Sequence, residues 1–232
     1  MFSKRYFICA LLLAAFLLVL SQAEPSRAQV PGILGMPKLY AEFKTPEVGT
    51  WVKYQLLDSK SKAESILKLS IVGKEKIEGE GDFYWYEIEQ TTLNTGDVYV
   101  IKMLISGNPQ EPGIVKRMVY KSGKDPANEL PQAFVSLMNQ PPKKEAKASE
   151  AKPKELGTEK IKTKTKTFSC MHTQDTAKAK QVTDTWTSDE VPLFGIVKST
   201  SGTRTLELVE FGTGAVTAIK EAPKLLEMPA QK

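Results

Sequence analysis

Cys170 and His172 are the residues whose types and spacing most directly suggest chemistry. They lie two positions apart, so both side chains would share one face of a β-strand. A thiol beside an imidazole can form the Cys–His dyad of a hydrolase. Because most buried cysteines are inert packing residues, we favour a half-buried cysteine beside an edge histidine and keep the dyad as the alternative.

A second candidate is an acidic stretch. Glu78, Glu80 and Asp82 alternate with Gly79 and Gly81, and Ca²⁺ is bound by several oxygens of a flexible loop. The stretch lacks the length and the terminal bidentate carboxylate of a known calcium loop, so we favour a solvated hairpin turn.

Other catalytic and cofactor signatures are missing from the sequence. It contains no G-x-S-x-G or phosphate-loop motif. The single histidine and the single cysteine that lies beyond the N-terminal apolar run are too few for a structural zinc site, which needs four ligands. We therefore predict a protein that is not an enzyme and that has no catalytic residue, no metal site and no cofactor.

The N-terminus has the features of a cleaved secretory signal peptide. Lys4 and Arg5 precede an apolar run over residues 6–20, and small residues follow it. Cleavage is predicted after Ala23 or after Ala28. The run has about 15 residues, fewer than the ~20 needed to span a bilayer, so the mature chain is predicted to have no transmembrane segment.

Cysteine usage and charge indicate the compartment and the partners. Cys9 lies at the start of the apolar run, where a lipid-attachment cysteine would not lie, and Cys170 remains alone after cleavage. The sequence has no Asn-x-Ser/Thr acceptor. We predict a periplasmic protein, with extracellular release as the alternative.

The net charge of +5 is too mild for a dedicated nucleic-acid binder, so nucleic acid is not an expected partner.

The main pattern after position 50 is period-two alternation of apolar and polar residues, which predicts half-buried strands. Gly- and Pro-containing connections between them are too short for crossover helices, so the sheet should be antiparallel. The predicted strands, about ten in number, are 51–57, 66–72, 83–90, 98–105, 114–120, 160–167, 182–187, 193–199, 205–211 and 215–220.

Two segments interrupt the strands. In residues 126–139 an apolar stripe of Leu130, Phe134, Leu137 and Met138 predicts a helix that covers the sheet. Residues 140–158 are rich in Lys, Glu and Pro and have no apolar run, which predicts a disordered insertion.

The closing segment has residues that bend strands. Pro192 cannot donate to a ladder and suits a strand start, while Gly195 within a strand predicts a bulge. Bends in successive strands curve a sheet around an apolar interior.

The signal peptide, the run of antiparallel strands, the one inserted apolar helix and the bent closing strands together resemble the LolA/LolB-like half-barrel superfamily of cell-envelope lipoprotein carriers. The closing segment, with Trp186, the Val191-Pro192 start, Gly195 and Phe211-Gly212, is also similar to the end of exported bacterial proteins of uncharacterised function. The resemblance covers the layout of residues 40–220, and no functional residue of the carriers is transferred. It implies a concave apolar sheet under a helical lid, able to hold acyl chains.

We therefore predict a mainly β protein. Residues 1–28 form the signal peptide, and residues 29–232 form one curved antiparallel sheet, an open half-barrel with one covering helix. We expect it to bind a hydrophobic ligand, such as an acyl lipid, or a lipidated partner. The alternative is a structural or interaction protein of the cell envelope with no small ligand. The predicted cavity lining is Leu67, Leu69, Ile71, Tyr84, Tyr86, Ile101, Met103, Phe134 and Met138.

Overall fold

The structure, a computed structural model, describes residues 46–107, 114–139, 153–178 and 181–226. The predicted signal peptide lies outside these residues, as do positions 140–152 of the predicted insertion. The strands are β1 Trp51–Asp58, β2 Ala63–Ile77, β3 Gly81–Thr92, β4 Val98–Ser106, β5 Val115–Ser122, β6 Asn128–Glu129, β7 Lys154–Lys162, β8 Thr167–Lys178, β9 Gln181–Thr187, β10 Ile196–Ser201, β11 Arg204–Gly212 and β12 Lys224–Leu225. The helix described, α1, is Gln132–Met138.

All twelve described strands belong to one sheet, in the order β12-β6-β5-β4-β3-β2-β1-β11-β10-β9-β8-β7. Strand β1 pairs with β2 on one side and with β11 on the other, so it joins two antiparallel meanders. The sheet is not closed, which confirms the predicted mainly β class with an open antiparallel sheet. The predicted count of about ten was low, because β6, β8 and β12 were not predicted as separate strands, whereas residues 215–220 were predicted as a strand and do not form one. Strand β12 pairs with β6 in parallel.

Register shifts interrupt several of the ladders. One lies opposite the Lys53–Tyr54 step of β1, where β11 has an extra residue, and another lies between Ile71 and Gly73 in β2. An extra residue in one strand increases local twist and bends the ladder. Gly195, predicted to bulge within a strand, instead has a φ of +68° in the loop before β10. The shift in β10 lies one step later, after Ile196.

The register defines two ends of the sheet. At the Asp58 end, β1 finishes and the turns 59–62 and 202–203 connect neighbouring strands. At the Trp51 end, β1 begins. Helix α1 and the loop 188–195 also belong to this end, because they follow β6 and β9 there. We call the face of the sheet that carries Tyr54 the inner face.

The main core lies against the inner face. Val52, Tyr54, Leu67 and Ile71 are at most 1% exposed, and residues of β8, β10 and β11 join the same cluster. The buried hydroxyl of Tyr54 donates to the carbonyl oxygen of Ile196, at 3.1 Å. This hydrogen bond connects the two meanders through the interior, beyond the edge-to-edge pairing of β1 with β11.

The predicted helix is shorter than its apolar stripe. Pro131 precedes its first turn, a position where the missing N–H is not needed, so Leu130 lies outside the helix. Within the helix Val135 is fully buried in the main core, whereas Leu137 is 60% exposed. The predicted stripe is therefore wrong at Leu137, because a seven-residue helix has too few turns for periodicity to define a face. Leu130 packs against the main core from outside the helix.

Two other predictions are corrected. Strand β7 begins at Lys154, inside the predicted insertion. The predicted strand 160–167 is split by a turn, in which the backbone N–H of Thr163 donates to the carbonyl oxygen of Lys166 at 2.9 Å. Lys and Thr alternate through both parts, so alternation alone did not reveal the turn.

Residues 215–220, predicted as a strand, form an extended segment without a ladder. We call residues 215–226 the C-terminal strap. It starts beside Gly49, whose carbonyl oxygen accepts from Ala215 N–H at 2.8 Å, and ends as β12 beside β6. The strap therefore crosses from the central strand to the far edge of the sheet, over the outer face of β3, β4 and β5.

Glu87 anchors this strap. Its side chain is nearly fully buried, and its carboxylate accepts from Ala218 N–H at 2.8 Å and from the Thr217 hydroxyl at 2.5 Å. Ile219 then packs into a small outer cluster with Val100, Val119 and Ala127. A buried carboxylate needs such donors, because leaving it unpaired costs several kcal/mol.

We expect Tyr54→Phe to lower the free energy of unfolding by about 1–2 kcal/mol, because the Ile196 carbonyl loses its side-chain donor in the core. Urea denaturation measures this change. Tyr99→Phe, at a position 42% exposed, is the control and should change stability by less than about 0.5 kcal/mol. Equal effects of the two substitutions would contradict the bridging role of Tyr54.

We expect Glu87→Gln to speed amide hydrogen exchange of Ala218 and Ile219 by about tenfold, since it removes the charge from a buried acceptor. Exchange measured by mass spectrometry on peptides covering the strap tests this. Glu89→Gln, two residues further along β3, is the matched control. Unchanged exchange in the strap would show that Glu87 does not hold it.

Candidate functional site

Seven of the nine predicted lining residues lie together in the main core. All seven are at most 7% exposed; they are Leu67, Leu69, Ile71, Tyr84, Tyr86, Ile101 and Met103. The register pairs Ile71 with Tyr86 and Tyr86 with Met103, so they form an apolar patch across β2, β3 and β4. Burial raises the pKa of Tyr86, as expected for a phenol in an apolar interior.

The other two predicted lining residues come from the helix. Phe134 is half-buried and lies outside the main core cluster, in which the helix is represented by Val135. Met138 belongs to α1, and its side chain is outside what the structure describes. The structure therefore brings the strand residues together and has Val135, rather than Phe134, in the main core. A binding role for any of the nine stays a prediction.

The outer face of β3 carries its own aromatic residues. Phe83 and Trp85 form a separate cluster with Leu104, so strand alternation divides the four consecutive aromatics between two faces. Long cationic side chains lie over these rings: the Lys102 ammonium is 4.6 Å and the Arg117 guanidinium 5.2 Å from the Trp85 ring centre. Cation–π contacts and the apolar stems of these side chains thus cover this face.

A row of hydroxyl side chains crosses the inner face near the Asp58 end, and sequence analysis missed it. Directly paired residues of seven neighbouring strands form the row. In order they are Thr92, Ser65, Leu56, Leu206, Ser199, Thr185 and Thr173. Five of the seven carry hydroxyls, and all seven residues are buried or half-buried. The alternate Thr and Ser residues of β9 and β10 were a signal that could have indicated it.

This hydroxyl row is linked by its own hydrogen bonds. The hydroxyls of Thr185 and Ser199 are 3.2 Å apart, and Ser199 also donates to the carbonyl oxygen of Asp184 at 3.1 Å. Across β3, the amide nitrogen of Gln90 donates to the Ser65 hydroxyl at 3.3 Å. The inner face therefore changes from apolar at the Trp51 end to hydrogen-bonding at the Asp58 end.

His172 does not contact Cys170 as a dyad would require. Its Nδ1 lies 2.8 Å from Glu159 Oε1, its Nε2 lies 3.0 Å from Asp184 Oδ1, and its ring stacks on Trp186 at 4.3 Å. A neutral imidazole has one N–H, so both contacts are complete hydrogen bonds only for the protonated ring. The histidine thus connects β7, β8 and β9 through their side chains.

Cys170 is fully buried in the main core, and this burial raises the pKa of its thiol. A raised pKa reduces the thiolate fraction that nucleophilic attack requires. This placement agrees with the packing interpretation of the cysteine.

The acidic stretch forms the hairpin turn between β2 and β3, as favoured from the sequence. Two of its carboxylates face lysines: Asp82 lies 2.8 Å from Lys74, and Glu80 pairs with Lys116. Within the four described ranges, no group of three or more His, Cys, Asp or Glu side chains is arranged to hold a metal ion. None of the helical residues that the structure describes forms a span long and apolar enough to cross a membrane.

No protein-family model matches the sequence, and the comparison with curated proteins gives no match. Among solved structures, the chain is similar to a predicted exported protein with a YmcC-like fold from Bacteroides fragilis. The two share 12% identity at a TM-score of 0.37, over 75% of this chain and 100% of that one. It is also similar to a predicted lipoprotein from Parabacteroides distasonis, at 13% identity and a TM-score of 0.37, over 74% of this chain and 99% of that one. Membership of the LolA/LolB-like superfamily stays a prediction.

The hydrogen bond from the Trp186 indole and the contact with His172 hold the pKa of Glu159 below its usual 4.5. A lowered pKa in the folded state stabilises the fold above the unfolded-state pKa, and this contribution is lost as pH falls. We expect the stability advantage of the unmodified protein over Glu159→Gln to be largest above about pH 5 and to shrink towards about pH 3.

Urea denaturation at several pH values measures this difference. Glu155→Gln, an exposed glutamate of the same strand, is the control and should show a smaller pH-dependent difference. A stability difference between the unmodified protein and Glu159→Gln that is constant with pH would contradict the assignment.

Proposed function

We propose that this chain is an exported, non-enzymatic protein of the bacterial cell envelope, located in the periplasm, that binds a hydrophobic ligand or a lipidated partner against the inner face of its sheet. The observation that carries the proposal is the continuous apolar surface formed by β2, β3 and β4. Ile71, Tyr86 and Met103 are neighbours on directly paired strands of that surface. Apolar concave surfaces with a few polar groups are typical of small-molecule sites.

Export is supported by the N-terminal sequence. The basic start, the apolar run over residues 6–20 and the small residues before Ala23 or Ala28 are typical of a signal peptide. A carrier located between two membranes would need an apolar interior that water does not reach.

The architecture also supports a ligand site through what covers the inner face. A sheet of twelve strands has one described helix, and among the described side chains of that helix Val135 is the one in the main core.

The second candidate is a structural or interaction protein with a filled core and no small ligand. It is favoured by the close packing of the predicted lining: Ile71 is 0% and Met103 is 1% exposed. Under this alternative these side chains pack against one another, and the protein acts by binding a partner at its outer surface.

We expect lipid to co-purify with the protein. The chain is expressed with its signal sequence in a bacterium, purified from the periplasm without detergent, and extracted with organic solvent for mass spectrometry. A stoichiometric acyl lipid supports the proposal. A lipid-free protein that also fails to bind 11-(dansylamino)undecanoic acid contradicts it, and the interaction protein then becomes the leading interpretation.

A matched pair of variants on β4 locates the site. Ile101→Phe adds volume on the inner face and should weaken binding of the dansyl probe by about fivefold or more, because it fills space that the probe needs. Val98→Phe adds the same ring on the outer face and should leave binding within about twofold. Circular dichroism verifies that both variants fold. Equal effects of the two would contradict binding at the inner face.

A further inference from the structure

Gln90 has an unsatisfied polar group in the interior. Its Nε2 donates to the Ser65 hydroxyl, while its Oε1 is buried and has no hydrogen-bond partner among the residues that the structure describes. A buried acceptor left unpaired is costly, and proteins keep few of them. Rotating the amide by 180° exchanges the orphaned acceptor for an orphaned donor, so either orientation leaves one polar group without a partner.

Gln90 lies on the inner face, next to the proposed ligand site. Gln90 pairs with Leu67 of β2 and with Tyr99 of β4, one step from the hydroxyl row. On its other side along β3 come Ile88 and Tyr86, both in the main core. Gln90 therefore lies at the boundary where the inner face changes from apolar to hydrogen-bonding.

The hydroxyl row adds capacity for hydrogen bonds at the same level. A Ser or Thr hydroxyl has one donor and two acceptor positions, and the described bonds of the Ser65 and Thr185 hydroxyls use only some of these. A ligand lying along the inner face would place its apolar part beside Tyr86 and Met103. Its polar part would lie beside Gln90 and Ser65.

We propose that the ligand is an uncharged amphiphile with an acyl chain and a hydroxyl-bearing headgroup, and that Gln90 and Ser65 bind that headgroup. This inference rests on the proposed function, whose site it specifies. A hydroxyl both donates and accepts, so it satisfies the orphaned group of Gln90 in either amide orientation. An uncharged headgroup fits because the residues of the row are neutral.

The test compares two ligands with the same tail. 1-Monomyristoylglycerol carries two free hydroxyls, and methyl myristate carries none. Each displaces 11-(dansylamino)undecanoic acid from the purified protein, and the ratio of their apparent affinities measures the headgroup preference. We expect the monoacylglycerol to bind about three- to tenfold more tightly, the range of one neutral hydrogen bond.

Gln90→Met keeps the length of the side chain and removes its polar group. It should abolish the headgroup preference, because the affinity for the monoacylglycerol falls while the affinity for methyl myristate stays within about twofold. Its melting temperature should equal or exceed that of the unmodified protein, because an unpaired buried acceptor is removed. Gln55→Met, at a glutamine beside Tyr54 on the opposite face of β1, is the matched control and should retain the preference.

Ser65→Ala is a second variant, in case Gln90→Met does not fold. Loss of the Ser65 hydroxyl frees the amide of Gln90, and the preference should fall without being lost. Equal binding of the two ligands by the unmodified protein would overturn the headgroup assignment without contradicting the proposed hydrophobic site. Failure of both ligands and of the dansyl probe would instead overturn the proposed function itself.

Discussion

The pairing of β1 with strands on both of its sides is the constraint on which the rest of the fold depends. Strand β1 is the first strand in the sequence but lies in the middle of the sheet, since its partners are β2 and the late strand β11. This long-range ladder makes one sheet out of two local meanders, and the hydrogen bond from Tyr54 to Ile196 connects them again through the interior. Contacts so distant in sequence form only after a large loop-closure entropy is overcome, so side-chain packing must stabilise them.

The two faces of this sheet are covered in different ways. The inner face encloses the main core, and its polarity changes along the strands from Met103 and Tyr86 to Gln90 and the hydroxyl row. The outer face of β3 to β5 is covered by cationic side chains over Trp85 and by the C-terminal strap anchored on Glu87. Because both faces are covered, runs such as Phe83–Tyr86 can be aromatic throughout, without the alternation of a half-exposed strand.

The candidate site consists of residues on the covered inner face of the sheet. Seven of the predicted lining residues lie together because period-two alternation places every second residue of a strand on one face, whatever the partner strands are. Gln90 and Ser65 were not predicted, because a polar residue at an inner position gives no signal until the register places it beside another. His172 shows the same limit: its neighbours Glu159 and Asp184 come from two other strands.

The sequence by itself determined the mainly β class, most of the strands and the inner face of β2, β3 and β4, since these depend on local alternation and on turn residues. Only the tertiary structure decided where strands begin and end in segments whose alternation of residue types continues through a turn or a loop. Alternating Lys and Thr conceal the turn after Lys162, and residues 215–220 alternate like a strand but form a strap because Glu87 takes their hydrogen bonds. It also decided which carboxylates face His172 and that Val135 is the helix residue in the core, because those contacts depend on strand order and bends that no local pattern encodes.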